Sequence, residues 1–140
     1  MAVEPLGPGL RIDVNLPLEQ DMLRYVIGFL LLPVLPVNAQ GYAPVRDQTQ
    51  FVSLVQGREL RYGMFGISLI IDNNGKIKGE AMGMAVTGNW VWRDGFFCRE
   101  MDWSGYAIPY NCQLVEVRAA QSLRFTTDKG TGRSAAFALQ

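Results

Sequence analysis

The residues best suited to chemistry fall in one stretch, Gly88-Asn89-Trp90-Val91-Trp92-Arg93-Asp94-Gly95-Phe96-Phe97-Cys98-Arg99-Glu100-Met101-Asp102-Trp103. Asp94-Gly95 is a tight hairpin turn signal, which sets Trp92 opposite Phe97, Val91 opposite Cys98 and Trp90 opposite Arg99. One face then bears Trp90, Trp92, Phe97, Met101 and Trp103, with Arg99 in their midst. The other bears Val91, Cys98, Glu100 and Asp102. Trp90, Trp92, Arg99 and Trp103 are therefore the candidate binding residues. A guanidinium among aromatic rings must be paired or stacked. Either Arg99 stacks on Trp90 and snorkels to the rim, or it points into the mouth of a barrel and holds an anionic group. Glu100 and Asp102 share a strand face, with carboxylates roughly 6–7 Å apart by strand rise. Paired carboxylates at such a spacing can do acid–base work, as in glycosidases. Adjacent acids on a solvated strand are the commoner arrangement, and nothing else marks this pair for catalysis.

Much other chemistry is excluded by composition. The chain has no histidine, which removes Ser-His-Asp and Cys-His catalysis, histidine-ligated metals and a histidine pH switch. Two cysteines cannot build a four-thiolate zinc site. Asp72-Asn73-Asn74-Gly75 lacks the distant glutamate of a calcium loop and reads as turn chemistry. No dinucleotide fingerprint, phosphate loop or Gly-x-Ser-x-Gly elbow is present. Neither a metal nor a cofactor is expected. Thirteen basic and 13 acidic side chains balance to zero, which argues against capture of nucleic acid or an anionic membrane by charge.

The elements that must position the hairpin can be read on either side of it. Met22-Leu23-Arg24, an apolar run from Tyr25 to Leu32, and Val37-Asn38-Ala39 have the three regions of a secretory signal cleaved before Gln40. The apolar run is too short for a membrane span and is followed by two helix-breaking prolines. Residues 22–39 are thus expected to be a signal peptide, and residues 1–21 an extension upstream of the true start at Met22. Removing residues 1–39 takes away two arginines and four acids, leaving a net charge of +2 on one domain, residues 40–140. That domain is expected in the periplasm or secreted, with no stable membrane insertion. It contains both cysteines. In an oxidising compartment Cys98 and Cys112 are expected to form a disulfide, worth roughly 3 kcal/mol for a loop of about 15 residues.

Asp47-Gln48-Thr49-Gln50 reads as a capping box. Phe51, Leu54 and Val55 then fall at helical spacing, and Gly57 supplies a left-handed stop. One short helix is predicted there, and plugging the end of a sheet is the common use of such an element. From Glu59 the period changes to two. Seven strands are predicted, over residues 67–71, 76–81, 86–93, 96–103, 111–118, 122–127 and 133–139, joined by short turns and hence antiparallel. The fold expected is mainly β: a small meander curled into a lipocalin-like barrel or half-barrel. Gly79, Gly83 and Gly88 are candidate bends or bulges.

The run Thr87 to Arg99, followed by Asn111-Cys112-Gln113 and Leu123-Arg124-Phe125-Thr126, resembles a family of short secreted proteins of alphaproteobacteria. The resemblance spans nearly all of residues 40–140 and implies location and fold, with no ligand or reaction attached. Members sometimes carry the label dihydrodipicolinate reductase. The residues do not support that label, since the true reductase has a glycine fingerprint and a histidine-lysine segment absent here. Three readings follow. The first is a non-catalytic β-domain that binds a small molecule or an envelope partner through the Trp-rich hairpin. The second is a structural envelope protein, and the third a carboxylate-dependent hydrolase or the labelled reductase.

Overall fold

The computed structural model describes residues 41–140. The expectations for residues 1–21 and 22–39 lie outside the described residues. The chain runs β1 (Ala43–Pro44), α1 (Gln48–Val55), β2 (Glu59–Tyr62), β3 (Ile67–Ile71), β4 (Lys76–Ala81), β5 (Met84–Arg93), β6 (Phe96–Trp103), β7 (Tyr106–Arg118), β8 (Ser122–Thr126) and β9 (Ser134–Leu139). Each strand from β2 to β9 pairs antiparallel with the next, and β9 returns to β2, with Leu60 opposite Leu139. The result is a closed eight-stranded up-and-down barrel, with β1 added against the outer part of β7. Closure leaves no free sheet edge within the barrel.

The central hairpin has the register that its turn dictates. Asp94 and Gly95 both take positive φ, 52° and 84°, as the two central residues of a type I′ turn require. Trp92 faces Phe97, Val91 faces Cys98 and Trp90 faces Arg99. Alternation then sends Trp90, Trp92, Phe97, Arg99, Met101 and Trp103 into the barrel, and Glu100 and Asp102 outward.

Helix α1 closes one end. Asp47 caps it by accepting from Gln50 N at 2.8 Å. The Gln50 side chain accepts from Arg46 N, one residue before the cap, rather than from Asp47 as a strict capping box would have it. Gly57 makes the left-handed stop at φ 69°. Phe51 and Val55 are buried completely or almost so, at 0% and 1% exposed. The Phe51 ring lies 5.0–6.4 Å from the rings of Phe97, Trp92, Trp90 and Phe125. The helix thus drives one aromatic side chain into the bore, where barrel side chains wrap it.

Two strands beyond the seven expected are β1 and β2. They are two and four residues long, and although the two-residue period sets in at Glu59, the first strand expected begins only at residue 67. Strand β7 also starts at Tyr106, ahead of the expected Asn111. Here Pro109 and Tyr110 stand against the single residue Glu100, a bulge in the β6–β7 ladder. A bulge tolerates a proline, because the missing N–H removes no ladder bond. Of the candidate bends, Gly79 and Gly88 bring strands close together. A Cβ would meet Ser68 O at the first and Glu100 O at the second.

The two cysteines are paired. Cys98 and Cys112 sit directly opposite on β6 and β7, with Cα atoms 3.9 Å apart and the sulfurs bonded. They lie on the outer face, so the staple leaves the bore untouched.

Candidate functional site

The bore is not filled from end to end. Beyond the aromatic plug lies a cavity of about 290 Å³, lined by side chains of seven strands and the β8–β9 connection. Leu60, Phe97 and Phe125 form its deep wall and are 1–6% exposed. Its lip is polar: Arg99 from β6, Thr127 and Arg133 from the β8–β9 connection, and Ser134 from β9, with the buried Gln113 of β7 inside it. No acidic side chain lines it. The connection is tied to β7, where Asn111 Nδ2 donates to Asp128 Oδ1 and Asp128 N donates to Asn111 Oδ1. Asp128 and Lys129 take left-handed backbone there, with φ 54° and 55°.

Arg99 is the central polar group of this lip. Its Nη1 donates to Pro109 O at 2.9 Å, the carbonyl that the bulge turns out of the regular ladder. Partial burial lowers its pKa from the ordinary guanidinium value. Among the described residues, the ion pairs are Arg61–Glu59, Lys78–Asp72 and Arg124–Glu116, so neither Arg99 nor Arg133 is neutralised by a carboxylate. Nor does Arg99 stack on Trp90. The cation–π contacts among the described residues join Arg118 and Arg124 to Tyr42, and Lys129 to Phe96.

The tryptophans take other positions. Trp90 is 7% exposed, packs on Phe51 and Phe97, and donates its indole N–H to Asp72 O at 2.8 Å. Trp92 stacks on Phe51 at 5.3 Å. Both belong to the plug. Trp103 donates to Ala81 O at 3.0 Å and lines a second cavity of about 280 Å³ farther along the bore. That cavity has an entirely apolar lining, including Phe65, Met82, Val86 and Ile108. Leu69, Met101 and Phe137 line both cavities and so form the partition between them.

Glu100 and Asp102 are exposed on the outer face and border an open groove with Thr87 and Asn89. Asp102 Oδ1 accepts from Gly105 N at 2.8 Å, holding the β6–β7 turn. The two carboxylates therefore do not meet the lip residues of the bore.

Of the four candidate binding residues, Trp90, Trp92, Arg99 and Trp103, Arg99 alone lines the cavity next to the plug. Gln113, Thr127, Arg133 and Ser134 escaped notice because they come from strands and turns distant in sequence. One local signal did exist for Gln113. It alternates with buried Val115 on the inner face of β7, a polar side chain at a core position. No family model, curated protein or solved structure matches the chain.

Proposed function

We propose that this domain is a non-catalytic binding protein that holds a small, largely apolar molecule in the bore of its barrel. The cavity behind the Arg99 lip carries this reading. At about 290 Å³ it is near the lower end of the roughly 300–1,000 Å³ of small-molecule sites. Its composition, apolar walls with a few convergent polar groups, is also that of such sites. On the hairpin face that carries Arg99, the cavity is lined by Phe97, Arg99 and Met101 rather than by the three tryptophans suggested by sequence. The disulfide and the signal-like segment before Gln40 support a periplasmic or secreted location. Among the described residues no helix is long and apolar enough to cross a membrane.

The test uses the oxidised protein beginning at Gln40 and an apolar dye that fluoresces on leaving water. Binding should raise the melting temperature with the logarithm of ligand concentration above Kd, about 2.7 kcal/mol of stabilisation at a hundredfold excess over Kd. Ala135→Phe, which places a ring in the cavity wall, should abolish the dye signal. An unchanged signal in that variant puts the dye elsewhere and removes the bore as the binding site. A protein with no ligand response at all is the envelope-structural alternative.

A further inference from the structure

We infer that the ligand is a single-chain amphiphile with an anionic head, held head-first at Arg99 and Arg133 with its chain running along the bore. The inference rests on the reading that the bore is the binding site. Arg99 has five N–H donors, and Pro109 O engages one nitrogen of the group. The remaining donors sit at the edge of a cavity whose lining contributes a second guanidinium, an amide and two hydroxyls but no carboxylate. Two cations, both outside any ion pair among the described residues, beside apolar walls call for an anion.

The rest of the lining restricts which anion. Nine of the 14 residues around the cavity are apolar, from Leu60 and Leu69 to Phe137. A compact polar anion would leave those walls against water or against its own polar groups. A neutral hydrocarbon would fill the walls and leave both guanidinium groups without a counter-charge. An acid group on an alkyl chain satisfies both halves of the site.

The bore also sets a direction and a length. Met101 stands between the two cavities, and an unbranched thioether side chain shifts more readily than a branched one. Past it the lining is wholly apolar as far as Phe65, Met82 and Trp103. From Arg99 to Trp103 is four residues along β6, roughly 13 Å at strand rise, which suits a chain of about ten carbons.

Decanoic acid, 1-decanol and acetate are the probes, each competing with the apolar dye on the oxidised protein at neutral pH. Decanoate should displace the dye at about one-tenth the concentration that decanol needs, the tenfold gain of a charge-assisted contact. Acetate should not displace it over the same range. Arg99→Gln should bring decanoate to within about threefold of decanol. Arg133→Gln, at an exposed position, repeats the test should Arg99→Gln fail to fold. Equal displacement by acid and alcohol in the unsubstituted protein overturns the anionic head while leaving the bore as a binding site. Displacement by acetate as strong as by decanoate overturns the chain. A preference for the acid that survives both substitutions overturns the role of the two arginines. Failure of the dye itself to bind removes the underlying reading instead.

Discussion

Replacing Phe51 by alanine is the most severe test of how the barrel is closed. The ring is fully buried, and four other rings stand within 6.4 Å of it. Alanine withdraws the largest side chain that α1 inserts and leaves a void bounded by Trp90, Trp92, Phe97 and Phe125. Those four are anchored on three different strands, so they cannot all move inward to refill it. Phe→Ala at such a site costs about 3–5 kcal/mol, the lost transfer energy plus the residual cavity. Total stability for a domain of this size is roughly 5–15 kcal/mol, so about a fifth of it or more should disappear. At about 4–8 °C per kcal/mol, the melting temperature should fall by roughly 12–40 °C.

The assay is thermal unfolding of the disulfide-bonded protein, followed by tryptophan emission and by far-ultraviolet circular dichroism. Emission should shift to the red before unfolding, because Trp90 and Trp92 lose the ring that covers them. Phe51→Leu keeps most of the volume and should cost about 1 kcal/mol. A Phe51→Ala protein within about 1 kcal/mol of its parent, with unshifted emission, would mean that α1 is not docked in the bore. The account of the closed end would then be wrong.

Two further outcomes follow from local geometry. Reducing Cys98–Cys112, or replacing both by alanine, closes no loop across the separation of 14 residues and should cost roughly 3 kcal/mol in urea unfolding; no change in midpoint would show the staple to be energetically idle. Asp47→Ala removes the acceptor of Gln50 N and should cost about 1 kcal/mol, whereas Asp47→Asn should restore nearly all of it, and equal losses for the two would deny Asp47 its capping role.

Local pattern revealed those parts of the fold whose information is local. The hairpin around Asp94-Gly95 could be registered residue by residue, because a turn that requires positive φ twice admits few alternatives. Asp47 and Gly57 bounded α1 for the same reason, each supplying a group or a backbone angle that the helix end needs. Strand β1 escaped because two residues contain no alternation, and β2 because its four residues, where the period of two begins, are too few to mark out as a separate strand. Pro109 hid the first part of β7, since a proline in a strand reads as a break unless its partner strand is known to skip a residue there.

The site was half legible. Arg99 stood out because alternation put a charge on an aromatic face, and the structure sets that charge at a cavity lip. The tryptophans beside it gave no comparable guidance, because an aromatic stripe has the same period whether it seals a core or lines a pocket. Only the arrival of Phe51 from another element decides between the two. Arg133 and Ser134 join Arg99 only through the successive pairs β6–β7, β7–β8 and β8–β9, with Thr126 opposite both Leu114 and Ser134, an adjacency that no single local motif announces.

Closure also separates the residues that stabilise the barrel from those that line its lip. The aromatic plug concentrates buried surface at the end that α1 covers, so the cavity behind the Arg99 lip can stand open without removing the core. The disulfide works from the other side of the sheet. It joins β6 to β7 at the pair immediately before Arg99 and Asn111, and the Pro109 bulge begins directly after. Slippage of these strands by one residue would turn Arg99 outward and move the Pro109 carbonyl away from its guanidinium. The staple therefore holds the one register in which Arg99 faces the bore with its side chain braced. That gives a covalent bond on the outer surface a direct part in aiming a charge on the inner one.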